Sequence, residues 1–176
     1  MKRRGIGITG WFAAAACAAT FAIAPLLAGE EPAEPEFLGA ARPEQILKIS
    51  PEWKAIYDAY SPDAATVAKI GEALAKGKGD LRIEVIFGSW CSDSLDQVPP
   101  FLKILDQAGK DIVPAVYTGV TRAKEKRGDL MTNLKIEAIP TFIVYSKDAE
   151  IGRIVETPKA TLEADLLEIL AKPVKC

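Results

Sequence analysis

The spacing of apolar residues along the chain predicts a small set of elements. Trp53, Ile56, Tyr57 and Tyr60 fall at i, i+3, i+4 and i+7, one face of a helix, and Val67, Ile70 and Leu74 repeat the pattern up to Gly77. Each run opens with the same grammar. Ser50-Pro51-Glu52 and Ser61-Pro62-Asp63 each offer an N-cap, a proline at the first helical position and an acid in the first turn. Leu81–Phe87 then reads as a strand. Ser92 to about Ala108 reads as a helix with Leu95, Val98, Leu102 and Leu105 on one face, interrupted by Pro99 and Pro100. Ile112–Tyr117, Thr141–Tyr145 and Ile151–Val155 predict further strands. A short helix is expected around Leu130–Leu134, a turn over Ser146–Glu150, and a last helix carrying Leu162, Leu166, Ile169 and Leu170. The order β-α-β-α-β-β-α implies a central mixed sheet flanked by helices.

The chemistry concentrates where the first strand gives way to a helix, at Trp90-Cys91-Ser92-Asp93-Ser94. A helix N-terminus favours negative charge and hence the thiolate, the nucleophile of disulfide exchange. Asp93, two residues on, opposes it. Composition narrows the alternatives. The 176 residues contain no histidine, which excludes His-based triads and His metal sites, and the three cysteines are too far apart for a disulfide framework or a zinc site. The formal net charge is −2; setting aside Lys2, Arg3 and Arg4 leaves 19 basic against 24 acidic residues, and that balance, with no Lys/Arg-rich run, argues against nucleic acid.

Lys2-Arg3-Arg4 precedes an uncharged, alanine-rich run from Gly5 to Ala28, the layout of a secretory signal peptide or an N-terminal membrane anchor. Either predicts a domain outside the cytoplasm, exported to the periplasm or anchored in the inner membrane facing it. Cys17 loosely resembles a lipoprotein cleavage cysteine but reads more simply as part of the apolar run. Residues 29–45, rich in proline and glutamate, predict a solvated linker, and 46–176 a folded domain.

Three features in order resemble the thioredoxin superfamily over roughly residues 62–172: Trp90-Cys91-x-x-Ser94, Pro99 eight residues after Cys91, and Ile139-Pro140-Thr141, similar to the family's cis-proline segment. The resemblance implies a thioredoxin-like three-layer α/β/α sandwich with a central mixed sheet, residues 46–61 forming an added helical extension. It assigns Cys91 as nucleophile, the alternative being a structural cysteine left from a dithiol ancestor; the Ser94 hydroxyl reads either as a hydrogen-bond donor to its thiolate or as a simple first-turn helix residue. Trp90, Ser92, Asp93, Ile139 and Pro140 become substrate-contacting residues, the last two by offering backbone groups to an extended peptide. The run Gly152–Glu156 also resembles exported bacterial thioredoxin-like proteins. Two departures matter. Ser94 stands where a dithiol enzyme has its resolving cysteine, and Val85 where the family buries an aspartate. The implied activity is monothiol thiol–disulfide exchange on protein or peptide disulfides, a mixed disulfide at Cys91 being released by an external thiol or reductase or by a second substrate cysteine. No bound cofactor is implied; glutathione is a candidate co-substrate. Cys176, at the end of the chain, is a remote candidate resolving thiol or a site of intermolecular pairing. The competing expectation is a binding module that keeps the peptide groove without redox activity. A thiol peroxidase fits less well, because the threonine and arginine of such enzymes are missing from the flanks of Cys91.

Overall fold

The computed structural model describes residues 36–109, 112–123 and 128–172. The leader over 1–28, Cys17 and Cys176 lie outside them. Among the described residues no helix is long and apolar enough to cross a membrane.

The sheet is built on β2 (Leu81–Phe87), which pairs parallel with β3 (Ala115–Gly119) and antiparallel with β4 (Thr141–Ser146). β5 (Ala149–Val155) extends it beyond β4, and β1 (Gly39–Ala41) borders β3, giving the order β1-β3-β2-β4-β5. Alternation along β2 divides the apolar residues between two faces. Ile83, Val85 and Phe87 face the larger core, with Phe101, Phe142, Ile70 and Leu166. This core is closed by α2 (Pro51–Ala59), α3 (Ala64–Lys76), α4 (Ser92–Ala108) and α6 (Leu162–Leu170). Ile86, Ile143 and Tyr145 point to the other face, covered by Ile136, Ile139 and by Met131 of α5 (Gly128–Asn133). Helix, sheet and helix thus form three unequal layers.

The segment expected as a linker up to residue 45 joins the domain from Glu36 onward. β1 pairs antiparallel with β3, Gly39 opposite Gly119. α1 (Pro43–Ile46) follows, starting on Pro43 and burying Ile46 completely. Glu36 and Pro43 read as tether residues by composition, yet Phe37 stacks on Phe87 with ring centroids 6.3 Å apart. A Cβ on Gly119 would stand 2.7 Å from the Phe37 carbonyl oxygen, so only glycine lets that backbone pass so close.

Several expected boundaries move: β5 begins at Ala149 rather than Ile151, which shortens the turn expected over Ser146–Glu150, and α5 spans Gly128–Asn133 rather than Leu130–Leu134. β3 begins at Ala115 rather than Ile112, because Pro114 has no N–H to give a ladder; its carbonyl instead accepts Ile83 N–H at 2.9 Å. α3 is capped by Asp63 and not by Ser61. The Asp63 carboxylate accepts Thr66 N–H at 2.8 Å and the Thr66 hydroxyl at 2.6 Å, two bonds that fix the helix start at Ala64.

The helical residues 46–61 belong to the core rather than decorating it. Trp53 is 2% exposed and meets Phe87 edge-on at 5.9 Å, and the Tyr57 hydroxyl donates to the Asp106 carboxylate, joining α2 to α4. Partial burial, then that acceptor and its charge, push Tyr57 up to about 12. At the α2–α3 junction, the nearly buried Glu163 of α6 accepts the Tyr60 hydroxyl at 2.8 Å and Asp63 N–H at 3.2 Å. Burial pushes this carboxyl up. Hydrogen bonds from its own backbone N–H, Tyr60, Asp63 and Thr161 outweigh that and hold it below the usual glutamate range.

A carboxyl depressed in the folded state adds stability above its unfolded pKa of about 4.3, and that contribution is lost as pH falls through the folded value. Glu163→Gln should therefore flatten the dependence of stability on pH between about 5 and 3. Urea midpoints taken stepwise across that window would measure it, and parallel curves for the two proteins would remove Glu163 as the controlling group.

Candidate functional site

The β2–α4 junction places Cys91 by geometry that begins in the strand. β2 ends at Phe87, whose carbonyl accepts Val120 N–H at 2.8 Å, and the Gly88 carbonyl accepts Cys91 N–H at 3.1 Å in a tight turn. A Cβ on Gly88 would lie 2.8 Å from Ile139 Cδ1 and 2.9 Å from Trp90 Cε2, so a larger residue there would displace the side chains on either side of the cysteine turn. Cys91 is the N-cap of α4, with extended backbone (φ −97°, ψ 125°), and its side chain makes no capping bond. The half-buried thiol instead donates to the Ile139 carbonyl at 3.5 Å.

The Ile139–Pro140 peptide bond is cis. The segment is held on both sides: the Thr141 hydroxyl donates to the Ala138 carbonyl at 2.6 Å, and the Pro140 carbonyl accepts Glu156 N–H at 2.7 Å. Ile139 and Pro140 are buried beside the cysteine. The Ile139 carbonyl is thus engaged by the Cys91 thiol and the Pro140 carbonyl by Glu156.

Ser94 is completely buried, and its hydroxyl oxygen accepts Gly88 N–H at 3.1 Å. The first turn of α4 carries the hydroxyl inward, under the turn that positions the cysteine; its oxygen is used as an acceptor there, which is separate from the donor role expected toward the Cys91 sulfur. Val85 is also completely buried, so position 85 is part of the apolar core. Ser92 is exposed and Asp93 half-buried in the same first turn.

Trp90 serves packing and surface together. Its Nε1 donates to the Val120 carbonyl at 2.9 Å, and its half-buried ring joins Ile86, Ile139 and Cys91 in the smaller core. Arg122 lies over that ring at 5.0 Å from the centroid and donates to the Trp90 carbonyl at 3.3 Å. Sequence reasoning missed Arg122, as it missed Ser89, whose hydroxyl accepts Phe37 N–H at 2.9 Å. Both act across 30 or more residues, and no local pattern encodes that. Arg153, in the run Gly152–Glu156 that had only a resemblance behind it, acquires a structural task. It pairs with Glu150 at 2.6 Å and donates to the carbonyls of Leu134 and Lys135 at 3.1 and 3.0 Å, tying β5 to the segment that leads into Ile139. Among the described residues, no three His, Cys, Asp or Glu side chains come together as a metal site.

The arrangement is a single accessible thiol beside a cis-proline, without a second sulfur one turn along the helix. No curated protein matches the chain. Among solved structures, one from work on the thiol-resolving mechanism of the yeast mitochondrial 1-Cys peroxiredoxin through glutathione/thioredoxin systems is 25% identical, with a TM-score of 0.36, covering 48% of this chain and 74% of that one. Fasciola hepatica thioredoxin is 17% identical, TM-score 0.36, over 48% of this chain and 75% of its own. Protein PA1234 of Pseudomonas aeruginosa, of unknown function, is 19% identical, TM-score 0.39, over 74% and 96%. The assignment rests instead on the family model described as Thioredoxin, which matches residues 44–168 and so takes in every element from α1 to most of α6, together with Cys91 and Pro140. By that match the chain is a member of the thioredoxin family.

Proposed function

We propose that this protein is a monothiol thiol–disulfide exchange protein working outside the cytoplasm. The observation that carries the reading is the pairing of Cys91 with Ser94. The thiol is half-exposed at the N-terminus of α4, while the position that would resolve its mixed disulfide holds a buried hydroxyl already bonded to Gly88. In the first step the Cys91 thiolate bonds to one sulfur of a substrate disulfide as the other departs as a thiolate. A second thiol, from a small molecule such as glutathione or from another cysteine of the substrate, then attacks the substrate sulfur and returns Cys91 to the thiol. One cysteine stores no electron pair as an intramolecular disulfide, so the chemistry suits reduction at the expense of external thiols, or isomerisation, better than net oxidation. The export reading draws its support from Lys2-Arg3-Arg4 and the uncharged run to Ala28.

The test is adduct formation. The full chain, incubated with a peptide disulfide and quenched in acid, should carry one peptide on Cys91 by mass spectrometry. Added glutathione should clear it, and Cys91→Ser should abolish labelling at that position. A folded protein whose Cys91 labels no faster than Cys91 of the unfolded chain would favour the redox-inactive binding module.

A further inference from the structure

The rim of the Cys91 site holds an ion pair that disulfide exchange does not itself require. Arg122 follows β3, and its guanidinium is anchored to the carbonyl and ring of Trp90, the residue before the nucleophile. The side chain remains 60% exposed, so part of it faces water. Glu36 lies against it. One carboxylate oxygen accepts Arg122 N–H at 3.1 Å, and the other stands 3.8 Å from the guanidinium. Thus a carboxylate already sits on the cation that caps Trp90, the residue before Cys91, held by that cation and a backbone donor, the donor geometry suited to carboxylates in general. The residues beyond the first 29 carry a net excess of acid, so the chain's overall charge disfavours an acidic partner while the Arg122 cation favours one locally.

We propose that Arg122 is a specificity-determining residue that receives an acidic side chain flanking the target cysteine of a protein or peptide disulfide, Glu36 marking where that carboxylate goes. The proposal rests on the thiol–disulfide reading of Cys91 and leaves its bond-making unchanged. Glu36 competes for the same guanidinium.

Two peptide disulfides that differ only by Glu or Gln beside the cysteine, offered to the full chain at low salt, separate the possibilities through the ratio of their rates of adduct formation at Cys91. The Glu peptide should react about two- to five-fold faster, the range expected of an exposed charge pair. The ratio should fall toward one in salt of about 0.5 M. Arg122→Ala should bring it to one, Arg122→Glu invert it, Arg122→Lys keep it above one, and Glu36→Gln widen it. A ratio of one in the wild type, or a ratio that Arg122→Ala leaves unaltered, overturns the role of Arg122 while the thiol chemistry stands. If neither peptide reacts, the reading of Cys91 fails and this proposal falls with it.

Discussion

Ser94→Cys is expected to turn a protein that holds its substrate into one that releases it. Cys91 caps α4 and residue 94 lies three positions on in its first turn, a spacing that puts the two Cα atoms roughly 5–6 Å apart, within the roughly 4.4–6.8 Å that a disulfide bridges. A thiolate at position 94 could therefore attack the Cys91 mixed disulfide, expel the substrate thiol and close an intramolecular disulfide. The substitution has a structural cost. Ser94 is completely buried and satisfies Gly88 N–H, and sulfur is a weak acceptor, so about 1 kcal/mol of stability should be lost. With Cys17 and Cys176 replaced by alanine, the oxidised variant should be lighter than its reduced form by two hydrogens and accumulate no peptide adduct. The parent with Ser94 should keep its adduct until an external thiol arrives. A variant that accumulates the adduct as the parent does would mean that position 94 does not address Cys91, and the monothiol account of the site would lose its basis.

The second large effect lies away from the thiol. Trp53→Ala should cost about 3–5 kcal/mol, the range for emptying a buried aromatic site, against a total of about 5–15 kcal/mol for a domain. Trp53 is 2% exposed and its ring meets Phe87 at 5.9 Å, so α2 is fastened to the end of the strand that leads into Cys91. A urea titration should show the midpoint falling with little change in slope. A loss below about 1 kcal/mol would mean that α2 contributes packing the core does not need.

Much of this was legible in the sequence, and for identifiable reasons. β2, α4, α6 and the helical run around Trp53 have apolar periods long enough to name their type, and Gly77 marks the end of α3. What escaped was encoded at a distance. β1 is Gly-Ala-Ala, with no strand propensity of its own; it exists because β3 offers an edge and Gly119 leaves space for Phe37. Asp63 outcompeted Ser61 as a cap because its carboxylate could reach two groups of Thr66 at once. At the site, the motif located Cys91, Ser94 and Pro140. It could not reveal that the Ser94 hydroxyl turns inward to Gly88, or that Arg122 arrives over Trp90, since both depend on how separate segments meet.

The bond from Phe37 N–H to the Ser89 hydroxyl bears on how the molecule responds to tension. A force pulling on the chain ahead of Glu36 is delivered first to a short strand zipped along β3 and, through Ser89, to the turn that carries the cysteine. Load applied at the other end meets α6, whose contacts run to α3, β5 and the body of α4. The two ends are therefore unequal handles: traction at the front reaches the turn that carries Cys91 through one hydrogen bond, whereas traction at the back reaches it only through helix packing.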